Sequence, residues 1–307
     1  MLIYKSLMKL SIEPWGVNIP FLLLAMVFWI IGGIFHYSHP YFMILGAFEI
    51  YLGMIIRLFF PARKYIPVQL LILISSAIPM HVMQIFSSFM LVILEIWAFK
   101  DVKNYGGRII KNFLVFSSPF AFIVAWSIFN YWFLICALSL YLLGVNIGVF
   151  SATLNNKAIF GFKQFPLVIL VIVMAFIKQM LPFLIAFYFA YTFNEFKLNK
   201  TGNFTKYTSI IVTFSSLFLG DFTHAFTLGV MAPLFSSCIL YSTSKYNYVK
   251  AWVIPLLYAL SYYLRIISLP LSEIPFGIAS LYFLWLFKDN LTLESLKLGI
   301  SKVFLQK

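Results

Sequence analysis

The sequence predicts an all-α fold, a polytopic transmembrane helical bundle with ten to twelve spans arranged as hairpins. Three observations predict it. Of the 307 residues, 63% are apolar and only 10% are charged, the apolar residues occur in long blocks, and short charged segments separate those blocks. A soluble domain has about 25% charged residues, because its exterior must be hydrated. The composition therefore excludes soluble enzymes, disulfide scaffolds and disordered chains.

The charge balance favours the same class. Lys and Arg number 22 against 9 Asp and Glu, which gives a net charge of +13. In a soluble chain this excess would suggest nucleic-acid binding, but in membrane proteins Lys and Arg collect in cytoplasmic loops. We therefore expect the lipid bilayer, and no nucleic acid, as a partner. The first 16 residues lack the long apolar core of a signal peptide, so we expect a mature, cytoplasmic N-terminus.

The apolar residues fall into six blocks, and each block is predicted to form one helical hairpin. A single span needs only about 20 apolar residues, and most blocks are longer. Near the middle of each lies a short polar, proline-bearing or small-residue break. The blocks are 17–60, 66–99, 113–154, 165–193, 207–243 and 250–287, and the breaks are 36–40, 79–81, 130–131, 178–182, 220–221 and 270–275. The predicted organisation is a cytoplasmic N-terminal segment 1–16, a transmembrane bundle 17–287 and a cytoplasmic C-terminal segment 288–307.

The block 165–193 is the exception that leaves the span count open. Its 29 residues cannot hold two full-length spans at a rise of 1.5 Å per residue. A single helix kinked at Pro182 fits it as well as a hairpin does. Lys178 within it is interpreted either as part of a re-entrant corner or as a buried cation. Block 66–99 is also short for two helices, hence the range of ten to twelve.

The four histidines are the most informative polar residues. His36 and His39 lie at the first predicted corner, His81 at the second and His224 just after the fifth, so the hairpin arrangement places all four near the outer face. Histidine in or beside a span is costly unless it is paired or ligated, and neutral imidazole is a good ligand for haem iron. We therefore consider His39, His224, His36 and His81 as cofactor-binding residues. The alternative is that they are interfacial polar residues without a ligand.

Two short segments follow these histidines. One reads His39-Pro-Tyr-Phe-Met-Ile-Leu-Gly46, with Gly53 seven residues further on and Pro61 at the end of the span. Gly46 and Gly53 share one helix face, which permits a flat ring or a second helix to approach closely. The other reads His224-Ala-Phe-Thr-Leu-Gly229. Its glycine is predicted to serve helix packing, since it is not one clean turn from the histidine.

These two segments resemble the motifs of NnrS-like haem–copper membrane proteins, which are themselves distantly similar to the twelve-helix subunit I of haem–copper oxidases. The resemblance covers about a sixth of the chain. It implies that His39 and His224 are the axial ligands of a haem b iron. Tyr41 stands where the family usually has a second histidine, and Tyr241-Ser-Thr-Ser244 replaces the tail after the second motif. The histidines are too few for an oxidase core, so reduction of oxygen or nitric oxide is not expected.

A narrower resemblance concerns overall character. The Ile-, Phe-, Tyr- and Lys-rich chain with few acidic groups is similar to the hydrophobic B subunit of a two-subunit cytochrome b of thermoacidophilic archaea. That resemblance implies a location in the plasma membrane and a haem-bearing cytochrome subunit as partner on the outer face. It also makes quinol a candidate electron donor. No Cys-x-x-Cys-His occurs, which excludes covalent c-type haem, and the two cysteines imply no disulfide framework.

The expected function is therefore that of a membrane subunit in respiratory electron transfer, which either holds haem b or docks an extracellular haem subunit. The alternatives are a secondary transporter with a substrate path near Lys178 and a cofactor-free membrane anchor. We expect no catalytic residues, because no phosphate-binding loop, zinc-protease motif or nucleophile setting occurs. Glu95 and Asp221 lie near predicted span ends, so both are expected to be interfacial.

Overall fold

The structure is a computed structural model that describes residues 15–35, 38–99, 111–153, 158–192, 200–243 and 245–298. These residues form helices joined by short turns, and no strand occurs among them. The all-α class is therefore confirmed for the described part of the chain. His36 lies outside the described residues.

Thirteen helices of six or more residues are described, and we number them in chain order. They are α1 (Asn18–Ile34), α2 (His39–Phe59), α3 (Ile66–Ser76), α4 (His81–Ala98), α5 (Phe113–Ile128), α6 (Tyr131–Thr153), α7 (Phe165–Phe176), α8 (Leu181–Thr192), α9 (Lys200–Leu219), α10 (Phe222–Thr243), α11 (Val253–Ile267), α12 (Leu269–Phe287) and α13 (Leu293–Leu298). Within α10, residues Thr227–Met231 adopt a π-helical turn.

The chain divides into two compact units. Met1–Lys111, Phe116–Leu138 and Asp289–Lys307 form the first, and Asn112–Val115 and Ser139–Lys288 form the second. Each unit is described by itself below.

In the first unit, α1 packs along α2 and α3 packs along α4, as the predicted hairpins require. The glycines of α2 allow the first of these contacts. A Cβ atom at Gly46 would collide with the indole ring of Trp29, and one at Gly53 would lie 2.7 Å from the Cβ of Phe21. A second helix therefore occupies the glycine face of α2, and a flat ring does not fit there.

In the second unit, α11 pairs with α12, and α9 packs against α10 and α11. Gly229 lies directly against α9, because a Cβ atom there would be 2.6 Å from the Cγ1 of Val212. The Ser209 hydroxyl donates a hydrogen bond of 2.6 Å to the Gly229 carbonyl oxygen at the same contact. The prediction that Gly229 serves helix packing is confirmed.

Five described helical segments are long and apolar enough to cross a membrane, fewer than the ten to twelve expected. They are His39–Phe59, His81–Ala98, Tyr131–Ser151, Phe222–Thr243 and Leu269–Asn290. The expected count is not borne out because the polar corners end many helices early. Helices such as α3, with 11 residues, and α7, with 12, are shorter than the roughly 20 residues that a 30 Å hydrocarbon core requires.

The sixth predicted break differs from the structure, whereas the fourth, at 178–182, does separate two helices. The sixth corner lies at Ser268, and Pro270 and Pro275 are both inside α12, because proline is tolerated in the first turn of a helix. Block 165–193 forms α7 and α8, separated by the extended residue Ile177 and a 3₁₀ turn at Lys178–Met180. Lys178 is exposed, so its interpretation as a buried cation is wrong.

Candidate functional site

His39 begins α2 and contacts the last turns of α1. Its Nδ1 atom lies 3.0 Å from the carbonyl oxygen of Gly32. A carbonyl oxygen only accepts hydrogen bonds, so Nδ1 carries the hydrogen and Nε2 carries the lone pair. The side chain is partly buried. His39 therefore has the tautomer in which Nε2 can bind a metal ion.

His224 has the same tautomer for a different reason. Its Nδ1 atom lies 2.9 Å and 2.8 Å from the two carboxylate oxygens of Asp221. Asp221 also caps the N-terminus of α10, since it accepts a bond of 3.2 Å from the His224 backbone N–H. A carboxylate that holds the second ring nitrogen is the usual arrangement around metal-bound histidine, because it fixes the ring and raises its basicity.

Asp221 is the centre of a charged cluster at the corner between α9 and α10. The Nε atom of Arg265 lies 3.8 Å from its Oδ2 atom, and Arg265 also interacts with Glu273 at the start of α12. Burial alone would raise the pKa of Asp221, but the hydrogen bonds from His224, together with the nearby charge of Arg265, lower it below the ordinary value. The carboxylate therefore stays ionised, and its side chain is 38% exposed.

The four candidate histidines do not form one described cluster. His39 and His81 belong to the first unit and His224 to the second. His81 is exposed, and its ring centroid lies 5.2 Å from that of Phe129. Among the residues described, no group of three or more His, Cys, Asp or Glu side chains could hold a metal ion. A haem needs only one or two protein ligands, so its binding does not require such a group.

The first unit contains a second polar feature, which the sequence reasoning missed. Helix α4 buries most of its polar side chains and exposes a row of apolar ones. The buried polar residues are Gln84, Ser87, Ser88 and Glu95, and the exposed apolar residues are Val82, Phe86, Phe89, Ile93 and Ile96. A helix in lipid has this inverted pattern, since apolar side chains are favoured at its surface. Glu95 is 1% exposed, so the prediction that it is interfacial is wrong.

The buried polar face of α4 continues into neighbouring helices of the first unit. We use the name polar seam for two sets of residues in this unit. Hydrogen bonds join Tyr41, Gln84, Ser76 and Glu49, and the second set consists of Tyr51, Ser118 and Glu95. The Tyr41 hydroxyl donates to Gln84 Oε1 at 3.2 Å, and Gln84 Nε2 donates to the Ser76 carbonyl oxygen at 3.1 Å. The recurrence of Gln84, Ser88 and Glu95 at helical spacing was the available sequence signal.

Glu49 lies at the centre of the polar seam. It is 0% exposed, and its Oε2 atom accepts a hydrogen bond of 3.1 Å from the Ser76 hydroxyl. Further along α2, the Tyr51 hydroxyl lies 3.3 Å from the Ser118 hydroxyl and is near enough to Glu95 to interact with it electrostatically. Ionisable groups inside a span are rare and usually functional.

The described helices thus define an all-helical chain of transmembrane-like character with a histidine–carboxylate corner in one unit and a buried polar seam in the other. In comparisons with known proteins, the chain matches no family model, no curated protein and no solved structure.

Proposed function

We propose that the chain is an integral membrane subunit of a b-type cytochrome complex in respiratory electron transfer. One observation carries the proposal: His39 and His224 both hold Nδ1 on an oxygen acceptor, and both therefore have a lone pair on Nε2. Neutral imidazole with this orientation is what a haem iron binds.

The residues fit a haem ligand role in their chemistry. Haem b, when bound, supplies one-electron transfer. The protein's own contribution is orientation, since Asp221 fixes the ring of His224 and the Gly32 carbonyl fixes that of His39. The hydrogen bonds from His224, and to a smaller extent the charge of Arg265, favour the ionised form of Asp221.

The proposed setting is a prokaryotic plasma membrane with the N-terminus in the cytoplasm. Electrons would come from quinol and pass to a haem-bearing cytochrome subunit on the outer face. If this chain holds no haem itself, the corner at Asp221 and His224 becomes the candidate docking point for that subunit. Its partly exposed carboxylate, imidazole and guanidinium are groups that pair across polar interfaces.

The test is a reduced-minus-oxidised spectrum of the purified chain, with a haem assay as pyridine haemochrome. We expect b-type bands in the wild type and their loss in His39→Ala and His224→Ala. Asp221→Asn should keep the bands but lower the affinity for haem by roughly 10–100-fold, the usual effect of losing a second-shell carboxylate. His81→Ala is the matched control, because the exposed His81 contacts only an aromatic ring in the described structure.

Two results would overturn the ligand assignment. One is haem that persists in both alanine variants, and the other is a purified chain without haem. In the second case, a pull-down from native membranes would separate a membrane anchor, which retains a cytochrome partner, from a transporter, which does not. The transporter is the second candidate because two carboxyl groups, Glu49 and Glu95, are buried within membrane-length helices.

A further inference from the structure

Glu49 is the middle residue of α2, which has 21 residues. At 1.5 Å per residue, its Cα lies about 15 Å from either end of the helix, close to the centre of a 30 Å hydrocarbon core. The side chain is fully buried. Ionising a carboxyl at such a position costs several kcal/mol unless a cation lies beside it.

The helices around Glu49 bring no cation to it in the described part of the first unit. Helices α1, α3 and α5 contain no titratable side chain. Besides Glu49 itself, the titratable groups on α2 are His39, Tyr41, Tyr51 and Arg57, and those on α4 are His81 and Glu95. The two basic residues of α2, His39 and Arg57, lie ten and eight positions from Glu49.

The hydrogen bonds of Glu49 fit a neutral carboxyl group. Its Oε2 atom accepts a hydrogen bond of 3.1 Å from the Ser76 hydroxyl, as a carbonyl oxygen does. Its Oε1 atom is buried and has no hydrogen-bond partner among the described residues. A proton on Oε1 leaves no charge to be solvated, whereas an ionised Oε1 would need a donor that the described residues do not supply.

Polar groups connect this carboxyl with one end of the helices. Between Glu49 and the start of α4 lie Ser76, Gln84 and Tyr41, and Gln84 also donates to the Ile78 carbonyl oxygen in the α3–α4 turn at 2.8 Å. The outer surface of α4 is apolar, so water that reaches Glu49 from this end has these groups as its partners. An amide, a hydroxyl and a carbonyl lower the free energy of transient water in such a place.

We propose that the Glu49 carboxyl is an intramembrane proton-binding site that exchanges its proton with water at the end of the first unit where α4 begins. The site is separate from the haem proposal, since neither His39 nor His224 takes part in it. Its ligand is a proton, which a water molecule delivers to or removes from Oε1.

The experiment is infrared spectroscopy of the 307-residue chain in phosphatidylcholine vesicles at neutral pH, in H₂O and in D₂O. We expect the carbonyl stretch of protonated carboxyls, a downshift in D₂O, and the loss in Glu49→Gln of the component that Glu95→Gln leaves in place. Ser76→Ala should move the band to higher frequency, because it removes the hydrogen bond to Oε2. Glu95→Gln is the matched control, since it removes the other buried carboxyl and leaves this band in place.

A second pair of variants tests the route by which the Glu49 proton exchanges with water. Gln84→Leu should slow the deuterium shift by roughly tenfold, the factor that corresponds to losing one buried polar group worth about 1.4 kcal/mol. Gln69→Leu is the control, because Gln69 is an equally buried amide on α3 that bonds to Trp15 and to the Phe60 carbonyl oxygen, away from the seam.

Three results would overturn the proposal. They are the absence of the band, a band that Glu49→Gln and Ser76→Ala leave unchanged, and a band that does not shift in D₂O. A band that weakens when NaCl is added at constant pH would also contradict it, because the site would then bind sodium in place of the proton. Glu49→Gln tests the presence of the band and Ser76→Ala tests its frequency. If one of these variants fails to fold, the other still tests the proposal.

Discussion

The two compact units differ in the burial and in the partners of their carboxyl groups. In the first, Glu49 is fully buried in the middle of a membrane-length helix, and its one described partner is a serine hydroxyl. In the second, Asp221 lies at a helix corner with a 38% exposed side chain, where it bonds His224 and approaches Arg265. A carboxyl group near water can remain ionised beside partner charges, whereas one enclosed by apolar surroundings is more stable as the neutral acid.

Placing a lysine at either carboxyl position is expected to have the largest effect. Glu49→Lys should lower the free energy of unfolding by about 3 kcal/mol or more, because a lysine at the middle of a span cannot reach water. Asp221→Lys should lower it by only about 1 kcal/mol, since its partly exposed site is screened. Unfolding by SDS titration in mixed micelles measures both. Equal losses would contradict the comparison.

Alanine substitutions at the glycine contacts are expected to have the next largest effect on stability. Gly46→Ala should destabilise the first unit by about 1–3 kcal/mol, because the new methyl group collides with Trp29 and overpacking costs that much. Gly229→Ala should have a smaller effect in the second unit, since its collision is with the side chain of Val212 alone. Gly33→Ala, with open space around it, is the control and should be neutral or slightly stabilising. Thermal unfolding in detergent ranks the three variants.

Removing the charge of Asp221 tests the second unit by pH. A lowered folded-state pKa means that the carboxylate adds stability above its ordinary pKa of about 3.9, and that this stability is lost as the pH falls through the lower, folded value. Asp221→Asn keeps a good N-cap side chain, so it isolates the charge. We expect a loss of up to about 1 kcal/mol at neutral pH and a flatter profile below pH about 4. A variant whose Tm falls with acid as steeply as the wild type would refute this.

The helix caps should give the smallest effect, and an equal one in both units. Asn130 accepts a bond of 2.9 Å from the backbone N–H of Trp132 at the start of α6, and Ser268 accepts one of 3.2 Å from Leu271 at the start of α12. Substituting either by alanine should cost about 0.5–1 kcal/mol. Differential scanning calorimetry in detergent provides the measurement. A large difference between the two variants would mean that the units differ in more than their buried charges.

The helical class and several helix ends could be predicted from the sequence alone. The apolar blocks and their polar breaks predicted an all-helical chain and the corners at Pro79–His81, Asn130–Tyr131 and Gly220–Asp221, because helix ends are set locally by proline, glycine and capping side chains. The spacing of Gly229 also predicted a packing role. Local signals of this kind need no knowledge of the neighbouring helices.

The number of membrane-length helices and the sixth corner could not be derived in this way. Composition shows that a block is apolar, but where a helix ends within it depends on which turns its neighbours stabilise. Pro275, which the sequence suggested as part of a break, continues α12. Trp29 of α1 lies 17 positions before Gly46 and fills the space beside it. A helix therefore packs there, and a flat ring does not fit.

By itself, the sequence determined the class of the chain, since 63% apolar residues in long blocks are typical of helices, which satisfy their own backbone in an apolar environment. Only the tertiary structure decided which polar residues are buried and what they contact. Glu95 and Asp221 both lie near helix ends in the sequence, yet one is enclosed by the first unit and the other stays half-exposed beside His224 and Arg265. Burial and pairing are properties of neighbouring helices, and those neighbours decide whether a carboxyl keeps its proton.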